Sequence, residues 1–174
     1  MPIMPPFNLK AWIDEHRELL KPPVGNRMVW RDTELLVMVV GGPNQRKDYH
    51  VEDGEEFFYQ IEGDIVVRVM EQGKSRDIPI REGEIFLLPP GIPHSPQRPA
   101  NTIGLVIERV RKVGERDHLV WYCESCGDTL HDASFQLEDL GSQLKPILTG
   151  FYADGRLRTC RSCGAVMDPP GARP

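Results

Sequence analysis

The chain has 174 residues, 40% of them hydrophobic and 27% charged, which suits one globular domain with a small appendix and not a disordered tail. Acidic side chains (26) outnumber basic ones (21) for a formal charge of -5, and no basic cluster offsets it, so nucleic acid is not an expected partner. The longest aliphatic run, 35–40, is far shorter than the ~20 residues that span a bilayer, and no membrane partner is expected. The segment MPIMPPFNLKAWIDEH lacks a cationic start followed by an apolar stretch, so no signal peptide is expected. The default location is the cytoplasm, where four cysteines are not expected to form disulfides.

Residues 1–7 are proline-rich. Asn8 is a candidate cap for a helix whose apolar positions are Leu9, Trp12, Ile13, Leu19 and Leu20, with His16 on the same stripe and Pro22-Pro23 as the stop. From Met28 the pattern changes to short strands, expected at 28–31, 34–41, 55–62, 64–71, 76–80, 84–88, 94–98, 103–110 and 118–122. Turn-forming pairs such as Asp53-Gly54, Gly63-Asp64 and Glu82-Gly83 separate them. Frequent short strands of this kind suggest a double-sheet jelly roll or a barrel. From Cys123 two Cys-x-x-Cys pairs bracket 137–152, a segment that suits a helix, and a loose tail follows. The expected organisation is an N-terminal segment with a helix (1–22), a barrel (23–122) and a C-terminal metal-binding segment with tail (123–174).

Two of the five histidines sit in informative settings. His50 lies in DYHVEDGEEFFYQIEG, followed after five residues by Glu56 and after six more by Gly63. His94 closes GEIFLLPPGIPH, with Gly83, Pro89 and Gly91 spaced ahead of it. Together the segments resemble the two-part signature of the cupin superfamily, a small jelly-roll barrel with a metal at its centre. The second half matches at every fixed position. The first departs from it, because Asp48 stands where the common pattern has another histidine. The resemblance implies an all-β fold, a cupin jelly roll with a short N-terminal helix and a small four-cysteine segment. It also implies a metal held by His50, Glu56 and His94. Independently, two imidazoles and one carboxylate are the facial triad of non-haem Fe(II) oxygenases, which leaves coordination positions for substrate and O₂. Strand alternation turns Glu55 to the opposite face from Glu56, which favours Glu56.

Arg46 precedes His50 by four residues and Arg98 follows His94 by four. In extended chain each arginine shares a face with its histidine. Pro96 and Pro99 make the second segment irregular. Glu108 stands in the apolar run TIGLVIERV, so it is expected at a barrel mouth or beside a polar partner. Taken singly, such charges are ordinary surface residues; together they suggest a pocket for an anionic substrate, since arginine grips a carboxylate through a bidentate fork.

The segments KPPVGNR, DYHVEDGEEFFYQIEGD, GEIFLLPPGIPHSPQRP and LVIER are similar to the 3-hydroxyanthranilate 3,4-dioxygenase family over nearly the whole chain. That resemblance implies Fe(II) bound by His50, Glu56 and His94, the substrate carboxylate on Arg98 and its amino group on Glu108. Arg46 would sit beside the oxygen site, Asn26 on a loop closing over the substrate, and Val24, Val40, Phe58 and Pro96 as apolar walls. Arg46 and Glu108 are then the candidate catalytic groups. The implied partners are a small aromatic amino-acid-derived substrate and O₂, and the implied reaction is extradiol-type ring opening within tryptophan (kynurenine) catabolism, carried out by a homodimer.

WYCESCGD and LRTCRSCGA place Cys123, Cys126, Cys160 and Cys163 in two knuckles, each followed by glycine. Four thiolates suit a tetrahedral site for Fe or Zn. It resembles a rubredoxin-type centre and is expected to be structural. Two other readings stay open on the residues alone: another cupin oxygenase acting on a thiol or a different aromatic, and a metal- or ligand-binding cupin without turnover. Arg46, Arg98 and Glu108 discriminate, since a thiol substrate does not call for two arginines and a buried carboxylate.

Overall fold

A computed structural model describes residues 3, 5–21, 25–44, 46–138 and 140–170. Pro22, Pro23, Val24 and the tail beyond 170 lie outside them.

Helix α1 spans Leu9–His16, and the Asn8 side chain accepts from the Ala11 backbone N–H at 3.0 Å, as a capping residue does. The spacing predicts helix through Leu20, but the chain tightens into a 3₁₀ turn over Arg17–Leu20. The His16 ring donates from Nδ1 to the Trp12 carbonyl at 2.8 Å, at the last residue of α1. Ile13 and Leu20 are buried against Val39 and Ile103, closing one end of the barrel.

Eleven strands follow among the described residues: β1 (Asn26–Met28), β2 (Leu35–Gly41), β3 (Asp48–Val51), β4 (Glu56–Glu62), β5 (Ile65–Glu71), β6 (Lys74–Ile80), β7 (Ile85–Leu88), β8 (His94–Gln97), β9 (Ile103–Arg109), β10 (Asp117–Tyr122) and β11 (Thr129–Phe135). They form two antiparallel sheets, β1-β2-β9-β4-β7 and β11-β10-β3-β8-β5-β6. This is the all-β double-sheet jelly roll expected from the sequence. Inward residues of both sheets, among them Met38, Phe58, Val67, Val69 and Val106, make the core between them. Fully burying each such side chain contributes about 1.5–3 kcal/mol.

Two strands lie outside the expected set. Strand β3 (DYHV) alternates polar and apolar but is only four residues long, and β11 (TLHDASF) mixes polar groups into both faces, so neither gives a sustained apolar period. Because β11 pairs with β10 along its length, the six-stranded sheet runs on to Phe135. Helix α2 (Leu140–Ala153) covers that extension, in the region where a helix was expected, and a short α3 (Gly155–Arg158) leads into the second cysteine knuckle. Leu119, Trp121, Phe135, Phe151 and Met167 form a second buried cluster there, with Trp121 stacked on Phe151 at 4.1 Å. No helix among the described residues is long and apolar enough to cross a membrane.

Candidate active site and metal centres

His50 and His94 face each other across the β3–β8 pair, with ring centroids 5.3 Å apart. Glu56 opens β4 on the opposing sheet, and one potential ligand atom from each of the three lies within 4.8 Å of the others. His94 donates from Nδ1 to the Ile92 carbonyl at 3.0 Å, which leaves Nε2 facing Glu56 Oε2 at 2.6 Å. That oxygen is buried and has no aligned hydrogen-bond partner. A nitrogen and a carboxylate oxygen this close, without a hydrogen-bond angle, are oriented as two donors to a shared cation. His50 has its Nε2 on Asp117 Oδ2 at 2.7 Å, so its Nδ1 carries the lone pair. Burial lowers the His50 pKa more than Asp117 restores it, which keeps the ring neutral as a metal ligand must be. For His94 burial also pulls down, but the Glu56 charge and contact, with the Ile92 carbonyl, together outweigh it and the pKa rises; Glu56 is correspondingly depressed, against its own burial, chiefly by His94. The pair needs either a proton or a cation between its members. Two nitrogens and one oxygen, with Glu56 and His94 buried and His50 half-buried, fit a divalent non-haem metal.

The three residues line a cavity of about 110 Å³ together with Arg46, Arg98 and Glu108. Strand parity therefore holds across both irregular segments. Arg98 is 1% exposed, and the side-chain hydrogen bond it shows among the described residues runs from Nη1 to Gln60 Oε1 at 3.2 Å. Burial brings its pKa down to about 10, still cationic at neutral pH. A buried guanidinium facing a cavity with most of its donors uncommitted suits an anionic ligand. Arg46 binds Asp48 through both Nε and Nη2. The residue that departs from the cupin pattern thus anchors an arginine, and Nη1 of Arg46 is left for a ligand. Glu108 pairs in register with Glu56 on β4 and Leu36 on β2, and its Oε2 accepts from Arg111 Nη1 at 2.7 Å. Burial and then the Glu56 charge raise its pKa to about 7.

Asn26, Val40 and Pro96 also line the cavity. Phe58 does not: its side chain is in the barrel core, edge-on to His94 with centroids 6.4 Å apart. It shares the inward face of β4 with Glu56 and, two residues further along the strand, backs a metal-ligand candidate from the packed core. Val24 lies outside the described residues.

The four cysteine sulfurs gather within 4.8 Å of one another. Cys123–Cys163 and Cys126–Cys160 are 3.6 and 3.5 Å apart, too far for disulfides and near the roughly 3.8 Å edge of a thiolate tetrahedron around a metal ion. The knuckles are built alike. Gly127 and Gly164, at φ 81° and 75°, donate to the carbonyls of Cys123 and Cys160 at 2.8 and 2.9 Å. Backbone N–H groups aimed at its sulfur, that of Cys126 first, bring Cys123 down to about 7, toward the thiolate that binds metal.

The family profile described as "3-hydroxyanthranilic acid dioxygenase" matches residues 1–152. The chain belongs to that family. It is 52% identical over 168 residues to a 3-hydroxyanthranilate 3,4-dioxygenase of Xanthomonas campestris pv. campestris (strain B100), covering 97% of this chain and 95% of the relative. It is 55% and 53% identical to proteins of the same name from Jannaschia sp. (strain CCS1) and Ruegeria pomeroyi, each alignment covering 97% of this chain and 93% of the relative. Among solved structures, a cupin-2 domain containing protein from Shewanella frigidimarina is 17% identical with a TM-score of 0.46, over 57% of this chain and 92% of the other.

Several residues at the site carry no motif. Asn44 bridges Arg98 backbone to backbone, with both N–H···O contacts at 2.8–2.9 Å. Gln60 holds the Arg98 guanidinium, and Gly104 leaves room for it: a Cβ there would lie 2.7 Å from Gln60 Oε1 and 2.9 Å from Arg98 Nη1. Leu144 reaches the cavity from α2. The only sequence signal for these was the glycine inside an apolar strand, which marks a close approach.

Proposed function

We propose that the protein opens the aromatic ring of 3-hydroxyanthranilate with O₂, giving 2-amino-3-carboxymuconate semialdehyde, and that its metal is Fe(II) on His50, Glu56 and His94. The carrying observation is that a two-histidine, one-carboxylate cradle shares one buried cavity with an uncommitted arginine fork, in a chain of this family. When bound, ferrous iron would supply open positions for O₂ and for the neighbouring hydroxyl and amine of the substrate, and the electron density that lets O₂ attack the ring. The residues do the rest. Arg98 takes the substrate carboxylate as a charge-assisted, two-point contact and so sets the ring's orientation. Glu108, with its pKa raised to about 7, in its ionised form accepts a hydrogen bond from the amine and is placed to take its proton. Arg46, immobilised by Asp48, presents a fixed positive group where negative charge develops on oxygen. Met38, Val40, Pro96 and Leu144 exclude water from the ring's faces.

The four-cysteine site is read as structural, holding Fe or Zn, and the C-terminal segment it ties down as a unit that begins at Cys123. The working form is read as a cytoplasmic homodimer.

The test is anaerobic Fe(II) loading followed by O₂ uptake with 3-hydroxyanthranilate, for the parent and for His50→Ala, Glu56→Ala and His94→Ala. Each variant is expected to lose the barrel iron and turnover. Parental activity in any one of them would remove that residue from the ligand set, and a parent without substrate-dependent O₂ uptake would favour a binding cupin.

A further inference from the structure

Behind the cavity lies a buried ion network that the reaction above does not use. Asp117 opens β10 and is 1% exposed. Its Oδ2 accepts from His50 Nε2 and from Arg111 Nη2, both at 2.7 Å, and its Oδ1 accepts from Arg111 Nε at 2.8 Å. The Arg111 side chain is 4% exposed. Its remaining nitrogen, Nη1, donates to Glu108 Oε2 at 2.7 Å and to the Arg109 carbonyl at 3.1 Å, and lies 2.8 Å from Glu52 Oε2. One planar guanidinium therefore touches both the carboxylate behind His50 and the carboxylate at the opposite wall of the cavity.

We infer that Asp117 and Arg111 are a positioning pair, which sets the tautomer and ring angle of His50 for the metal and, through the same guanidinium, the pose of Glu108 for the substrate. A neutral imidazole has one N–H. With Asp117 as its acceptor, that proton stays on Nε2 and the lone pair stays on Nδ1. A carboxylate in this place also makes the ring a stronger base, and loss of such a partner typically lowers metal affinity 10–100-fold. The arginine is specific to the task. Nε and Nη2 engage Asp117 side by side while Nη1 reaches Glu108, and a lysine ammonium cannot span both. The cluster tolerates probing: if Asp117 loses its charge, Arg111 keeps the Glu108 carboxylate, so no buried cation is stranded.

The inference rests on the reading of His50 as a metal ligand, and the experiment separates the two. Co(II) is titrated into the full chain under anaerobic conditions and followed by its visible ligand-field bands; thiolate-bound Co(II) is distinguished by its near-ultraviolet sulfur charge-transfer absorption. Asp117→Asn, Asp117→Glu, Arg111→Lys and His50→Ala are compared with the parent, each with a melting curve. The expected result is a 10–100-fold weaker barrel Co(II) site with shifted bands in Asp117→Asn. Asp117→Glu should recover most of that affinity. Arg111→Lys should raise the KM for 3-hydroxyanthranilate at least about tenfold with a smaller loss of Co(II) affinity. A merely structural role would lower melting temperatures while leaving bands and affinity in place, and that result overturns the inference. If Asp117→Asn does not fold, Arg111→Lys decides: parental KM, bands and affinity would overturn it. Should His50→Ala leave barrel Co(II) binding intact, the metal-ligand reading itself fails and takes this inference with it.

Discussion

On the proposed reading Arg98 is the carboxylate clamp, and its replacement is diagnostic. A charge-assisted contact to a desolvated carboxylate is worth about 1.5–3 kcal/mol, or one to two decades in affinity. Arg98→Ala should weaken 3-hydroxyanthranilate binding by that factor and leave barrel iron in place, whereas 2-aminophenol, which lacks the carboxylate, should bind parent and variant about equally poorly. If the variant kept the parent's preference for the carboxylated compound, another group would be the clamp. Arg46→Ala should instead depress kcat more than binding. Gly104→Ala should copy the Arg98 defect in milder form, because its Cβ would push on Gln60 and on the guanidinium itself. Glu52 makes a separate, pH-dependent prediction. Burial, and then repulsion from Glu108, push its pKa up to about 9 from an ordinary 4.5. A pKa raised on folding means the proton is held more tightly in the folded state. The stability it contributes is complete below about pH 4.5 and is lost as pH climbs through 9. Glu52→Gln should therefore stabilise the protein relative to the parent at pH 8.5 and not at pH 5, as read by chemical denaturation. Parallel stability curves for the two proteins would contradict a buried, protonated Glu52.

Among the elements, β3 and α2 do most to complete the site. Strand β3 is only four residues long, yet it carries His50 and lies between β8 and β10. Its placement follows from neighbours on both sides and not from its own propensity. Helix α2 delivers Leu144 to the cavity and is held to the sheet by Phe151 stacked flat on Trp121, with planes 14° apart. An aromatic pair of this kind adds about 0.5–1.5 kcal/mol beyond its area. Phe151→Leu should thus cost about 1–2 kcal/mol by denaturant unfolding. It should also raise KM for the aromatic substrate while sparing barrel iron, since Leu144 would lose its support. An unchanged KM would show that Leu144 is not a wall of the substrate site.

Over the full chain, the proposed reading gives catalysis to the barrel site and structure to the four-cysteine site. The thiolate cluster joins the β10–β11 hairpin to the segment after α3, where Thr159 bridges Val166 and Met167 enters the second core. Cys160→Ser should remove one equivalent of tightly bound metal and lower the melting temperature, yet folded, iron-loaded variant should retain ring-opening activity. Complete loss of activity in such protein would give the four-cysteine site a role beyond structure.

Much of the site was legible from local rules. The turns, the two spaced histidine segments, the Asn8 cap and the paired cysteine knuckles each depend on a few adjacent residues, and strand parity carries Arg46 with His50 and Arg98 with His94 into one cavity. These features need only period-2 geometry, φ > 0 at glycine and the preferences of metal ligands. What local rules leave open are the contacts made across sheets. Nothing near Phe58 in the chain says that it packs in the core behind His94. Likewise the 67 residues between His50 and Asp117, and the register that sets Glu56 beside Glu108, are closed only when β10 docks on β3 and β9 on β4. Those pairings are chosen by burial of both sheets' apolar faces at once, a free energy that belongs to the packed barrel and to no single segment of it.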